Sequence, residues 1–164
     1  MSDTDRLGTV LLIGFPLGVY ATARVHWQEL HREFALLRVG EGQSTHSVPH
    51  RLLQLVEDLD REYAGVTDQA DLRRDEALDK GEERIDLVYH LPRSTQAAAA
   101  TLGRLLDEAD EYCRQGRELL TLARSPQVTA FHRWYLGQIV DQLDGRPPVP
   151  WEEWREAGSE AAQP

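Results

Sequence analysis

Six histidines, twenty-eight acidic residues and one cysteine are the groups from which this chain could build a reactive or metal-binding centre. His26, Glu29 and Glu33 stand at i, i+3 and i+7, a spacing that brings them to one side of a helix. Imidazole and carboxylates so placed are how a helical bundle assembles a metal site. Such a site needs matching ligands on other helices, and no second helix supplies a matching histidine. The trio therefore reads as a solvated face, and no metal is expected. His46 and His50 flank Ser47-Val48-Pro49 in a loop. His90 follows Asp86 by four residues, but on a strand that separation is about 13 Å, too far for a base and its orienter. Should His26, His90 and His132 meet a carboxylate in a pocket between the first helix and the second strand, a small enzyme or ligand-binding protein would result. No Gly-rich phosphate loop, HExxH, CxxC, EF-hand loop or GxSxG elbow is present, so no catalytic residue and no cofactor is assigned.

A second set of residues has the chemistry of contact. Carboxylates cluster at Glu57, Asp58, Asp60 and Glu62, and again at Asp107, Glu108, Asp110 and Glu111, interleaved with Arg61, Arg104 and Arg114. They read as solvated helix faces with i,i+4 pairs, or as an acidic docking surface for a basic partner. Trp134 lies off the inward stripe of its helix, and Trp151 and Trp154 follow a proline-rich stretch. Tryptophans left in water anchor interfaces; folded back, they cover each other. Trp134, Trp151, Trp154, Asp107, Asp110 and Glu111 are thus the candidate partner-contact residues. Cys113, at the edge of an inward stripe with no histidine near it in sequence, reads as a small core residue.

The elements that must position these groups follow from hydrophobic period. Thr9–Phe15 is a short, branched, continuously apolar run closed by Pro16, which predicts a strand covered on both faces. From residue 19 to 38, Tyr20, Ala23, Trp27, Leu30, Phe34 and Leu37 recur at three and four, which predicts an amphipathic helix. A loop from residue 40 to Pro49 precedes a second helix to Tyr63, with Leu52, Leu55, Val56 and Leu59 inward. Thr67 caps a third, outlying helix over 68–80. Ile85, Leu87, Tyr89 and Leu91 alternate with polar neighbours, a half-buried strand over 83–91. A fourth helix runs from Ser94 or Thr95 to Arg114, with a short helical piece over 117–123. Ser125-Pro126 opens a fifth, to Leu143, burying Val128, Phe131, Tyr135 and Ile139.

These readings predict an α+β fold, predominantly helical, of about five helices and two short strands that could pair. Residues 8–146 form one globular domain. Residues 1–7 and 157–164 are expected as disordered tails, with 147–156 docking on the domain through Trp151. At 164 residues a core is attainable without staples, and the single cysteine precludes an intrachain disulfide. A formal charge of −10 and no basic run longer than Arg73-Arg74 argue against nucleic acid, whose phosphates are bound by Lys and Arg. The apolar run near residue 10 is too short to span a bilayer, and no leader precedes it, so the expectation is a cytoplasmic protein.

Several stretches resemble a family of uncharacterised actinobacterial proteins: GFPLGVYATARVHWQELHREFALL (14–37), IDLVYHLP (85–92), LLDEADEYC, LLTLARSP and FHRWYLGQIV between 105 and 140, and PPVPW (147–151). Its members look like companions of sigma-factor partner-switching systems, in which a kinase-like anti-sigma factor, its antagonist and a phosphatase control transcription. The resemblance implies a regulatory role through a protein partner. The nucleotide-binding Asn and Gly motifs of anti-sigma kinases have no counterpart here, so neither ATP binding nor kinase activity is implied. The leading expectation is a non-enzymatic regulatory or adaptor protein. A dimerisation module built on the stripe of the first helix is a further one.

Overall fold

The structure is a computed structural model and describes residues 6–40, 47–116 and 120–162. Two strands, β1 (Leu7–Pro16) and β2 (Arg84–Pro92), combine with six helices: α1 (Leu17–Gly40), α2 (Val48–Glu62), α3 (Asp68–Asp79), α4 (Thr95–Arg114), α5 (Pro126–Leu143) and α6 (Trp151–Ala161). The fold is predominantly helical α+β. None of the described helices is long and apolar enough to cross a membrane.

The two strands pair antiparallel, with Thr9 opposite His90 and Leu12 opposite Leu87. Alternation puts Val10, Leu12, Leu87, Tyr89 and Leu91 on the buried face. Thr9, Leu11, Val88 and His90 take the other, which is open, so the expectation of a strand covered on both faces is corrected. An apolar run is compatible with either arrangement; here Leu11 and Val88 on the outer face remain 37% and 47% exposed. Between Leu12 and Phe15 the register slips. Gly14 takes a positive φ of 67°, open to glycine without a Cβ penalty, and its N–H donates to Asp86 Oδ1 at 2.8 Å. The bulge turns both Phe15 and Pro16 into the core.

Along β1's free edge the unpaired backbone is met by a side chain. Gln142 of α5 accepts from Leu11 N–H and donates to Leu11 C=O, both at 2.8 Å. A glutamine amide thus stands where a third strand would bond. β1 borders α5 and α6, and β2 borders α3.

The helices form the other layer, with α4 packed between α2 and α5 and α1 against both of these. Leu30 and Phe34 of the α1 stripe are buried inside the protein, so that stripe serves the core. Pro49 and Pro126 occupy first turns, and Ser47 and Ser125 accept from the backbone N–H three residues on, as N-caps do. Thr67 opens α3 but makes no cap bond; its hydroxyl donates to Asp71 Oδ2 at 2.7 Å. Leu72 on α3 is largely exposed, as its outlying position predicts.

Three boundaries differ from expectation. Leu7, assigned to a tail, opens β1, and residues 157–161, assigned to another, extend α6. Ala157, Glu160 and Ala161 are good helix formers that lengthen a helix already nucleated by docked Trp151. Residues 120–123, expected helical, run without regular structure. The expectations for residues 1–5, 41–46 (His46 included), 117–119 and 163–164 lie outside the described residues.

The C-terminal segment docks as Trp151 requires. Trp134 and Trp151 are 0% and 2% exposed, with rings edge-on at 5.6 Å, and Trp154 stacks on Trp151 at 5.9 Å. Trp134 Nε1 donates to Val149 C=O, and Val149 N–H donates to Gln138 Oε1, each at 2.8 Å. Both backbone groups of Val149 are therefore satisfied by α5 before α6 begins.

Candidate partner-binding site

The α4–α5 connection over residues 120–125 is where the candidate residues gather. With no helical bonds of its own, it needs other partners for its polar backbone. Side chains of two helices, α1 and α4, supply them. His26 on α1 donates from Nε2 to Leu122 C=O at 2.8 Å, and Glu33, two turns further along, accepts from Thr121 N–H at 3.0 Å. Two members of the histidine–carboxylate trio on α1 are thus occupied as clamps on this strap. Among the described residues no three metal-ligating side chains converge.

The remaining anchor is Arg124, with a side chain only 3% exposed. Its backbone N–H donates to Asp110 Oδ1 and its Nε to Asp110 Oδ2, both at 2.9 Å, while Nη2 reaches Asp110 Oδ2 and Asp107 Oδ1 at 2.8 Å. Nη1 lies 3.1 Å from His132 Nδ1. A guanidinium can only donate, so Nδ1 accepts and the imidazole proton sits on Nε2. Burial first, then Arg124 and His26, lower the His132 pKa to about 4, and Asp110 opposes them weakly. The ring is neutral at pH 7.

Asp107 and Asp110 face the strap together because they are three residues apart on α4. Both oxygens of Asp110 are taken by Arg124. Buried charge of this kind is stable only when fully paired, and its usual gain is a fixed geometry more than net stability. The arrangement is suited to holding a backbone still. Cys113 is buried on the same helix, and desolvation, with Asp110 and Glu33 adding to it, pushes its thiol up to about 11, which removes it as a nucleophile.

What the clamp presents is apolar. Leu120 and Leu122 are 92% and 78% exposed, while Thr121 between them and Arg124 beyond are buried. Of the expected contact residues, Trp134, Trp151 and Asp110 are buried, Trp154 is half-covered by Trp151, and Asp107 and Glu111 remain open. Trp134 fails as an anchor because the docked segment covers it, and Asp110 because Arg124 does. Of the three histidines expected in one pocket, His26 and His132 converge at the strap. His90 stands apart on the open face of the sheet, its ring 3.4 Å from Thr9 Oγ1. A pocket between α1 and β2 holding all three does not form, since strand alternation turns His90 outward.

Arg124, Leu120 and Leu122 were not among the residues singled out from sequence. The signal was present: one arginine closes an otherwise apolar LLTLA run, directly before the Ser-Pro cap of α5. No protein-family model matches this chain, and neither a curated protein nor a solved structure shows significant similarity to it.

Proposed function

We propose that this chain is a non-enzymatic regulatory or adaptor module that docks a protein partner through Leu120 and Leu122. The observation that carries the reading is two adjacent-register leucines held in solvent on a backbone pinned by a buried, fully paired arginine. Exposed leucines on a loose loop would be unremarked; fixing them costs desolvation of Arg124 and Asp110, which an interface would offset through a preorganised contact. Half-open Asp107 lies beside the strap, with Glu111 one turn further along α4, so the complementary surface is an apolar groove rimmed by basic side chains. The likeness of the LLDEADEYC and LLTLARSP stretches to companions of sigma-factor switching regulators supports seeking the partner among such regulators.

The test is capture from the native host by wild type and by the Leu120→Asp/Leu122→Asp double variant. The expectation is a partner retained by wild type and weakened at least tenfold in the variant, with unchanged circular dichroism and melting temperature. The same proteins captured equally by both would overturn the reading. Removing residues 147–164 is not a clean alternative, because Trp151 belongs to the core.

A further inference from the structure

A cavity of about 230 Å3 opens between β1, α1, α3 and α5. A cavity of roughly 150 Å3 accepts one benzene, so this one holds a single ring with a short polar substituent. Five aromatic side chains line it: Phe15, Tyr20, Trp27, Phe131 and Tyr135. Phe131 stands 5.4 Å from Phe15, 5.9 Å from Tyr135 and 6.5 Å from Tyr20, the spacing at which aromatic rings attract, and an added ring finds the same partners.

The charged groups on the walls are all of one sign. No Asp or Glu lines the cavity, although the chain carries 28 of them, while Arg24 and Arg74 both do. His132 completes the lining and is neutral at pH 7, and burial keeps the Tyr135 phenol protonated. The two arginines differ in their commitments. Arg74 lies over the Tyr20 ring at 4.5 Å, and it donates from Nη1 to Asp71 Oδ1 at 2.8 Å and from Nε to Asp75 Oδ1 at 3.1 Å. Arg24 is exposed and makes no ion pair or hydrogen bond among the described residues. Aromatic walls alone would suit a cation, which ring faces attract. Here the place over Tyr20 is filled by Arg74, and Arg24 repels a second positive charge. The two aspartates offset Arg74, so the uncompensated charge beside the rings is that of Arg24.

We propose that this cavity binds a small aromatic monocarboxylate, its ring held among the aromatic walls and its carboxylate paired with Arg24. A guanidinium fork matches a carboxylate through two parallel hydrogen bonds. Because Arg24 is exposed, salt screens the pairing. Neither Leu120 nor Leu122 lines the cavity, so this site stands or falls apart from the docking surface at the strap.

The experiment titrates the full chain at low salt with 3-phenylpropanoate, 3-phenyl-1-propanol, 3-phenylpropylamine and hexanoate, by calorimetry and by the tryptophan indole N–H signals in NMR. Saturable one-to-one binding of 3-phenylpropanoate is expected, at least tenfold tighter than each of the other three and weakened severalfold at high salt. The indole signal of Trp27 should move most, since Trp134, Trp151 and Trp154 lie outside the cavity. Arg24→Gln should weaken 3-phenylpropanoate at least tenfold and leave the alcohol unchanged. Arg32→Gln makes the same charge change at an exposed α1 position outside the cavity, and should alter neither by more than twofold. Both replaced side chains are exposed, so unchanged melting temperatures are expected. Non-saturable binding, an alcohol or amine that binds as tightly as the acid, or equal losses in Arg24→Gln and Arg32→Gln would each overturn the proposal.

Discussion

His132 and Arg124 show how position decides what a residue type does. An imidazole beside two carboxylates has the parts of a proton-transfer site, yet the guanidinium between them occupies the acceptor nitrogen and both carboxylates. The consequence appears in stability, not in chemistry. His132 titrates near 4 in the folded protein and near 6.5 when unfolded, so between these values the unfolded chain binds the extra proton. Its contribution is intact above about pH 6.5 and is lost as pH falls toward 4. The loss amounts to roughly 3 kcal/mol. His132→Gln, which keeps an acceptor and cannot titrate, should flatten the wild-type decline in urea midpoint between pH 6.5 and pH 5; parallel curves would count against this assignment. At this scale the sequence was partly legible. His26 and His132 were marked as capable of meeting. Arg124, which decides the outcome, is an unremarkable letter until α4 and α5 converge on it.

Elements are governed by what completes them. A two-stranded sheet is marginal by itself, and β1 carries an apolar sequence along an edge that could template another strand. Gln142 closes that edge at Leu11 with one donor and one acceptor. Gln142→Ala should destabilise the protein by about 1–2 kcal/mol and raise its tendency to associate as concentration increases. Gln142→Glu keeps the acceptor for Leu11 N–H but sets a carboxylate against Leu11 C=O, and should be at least as harmful. Urea unfolding and light scattering measure both effects. The elements were the most legible level. Period three-and-four placed α1, α4 and α5, and period two placed β2, because each pattern records a single buried face. The cover of β1 was misread, since an apolar run does not say whether a second layer exists to meet it.

Across the whole molecule, one aromatic cluster joins sheet, bundle and C-terminal segment. Phe15 from the bulge, Phe131 and Trp134 from α5, and Trp151 from α6 lie with ring centres 5.4 to 6.4 Å apart. Trp151→Ala should cost about 3–5 kcal/mol, as large core truncations do, and release α6; guanidinium denaturation with far-ultraviolet circular dichroism would show both. A loss below 1 kcal/mol would mean that the segment only rests on the surface. The docking of Trp151 was legible from its sheer apolar area, whereas the helix beyond it was hidden by a composition that resembles a tail. The glutamine closing β1 has one more consequence, for synthesis. Leu11 and Gln142 are 131 positions apart, so a ribosome needs on the order of ten seconds to deliver the second after the first. Through that interval the outer edge of the segment around Leu11 stays open even after β2 has paired with the other, and its safe keeping falls to whatever attends the exit tunnel.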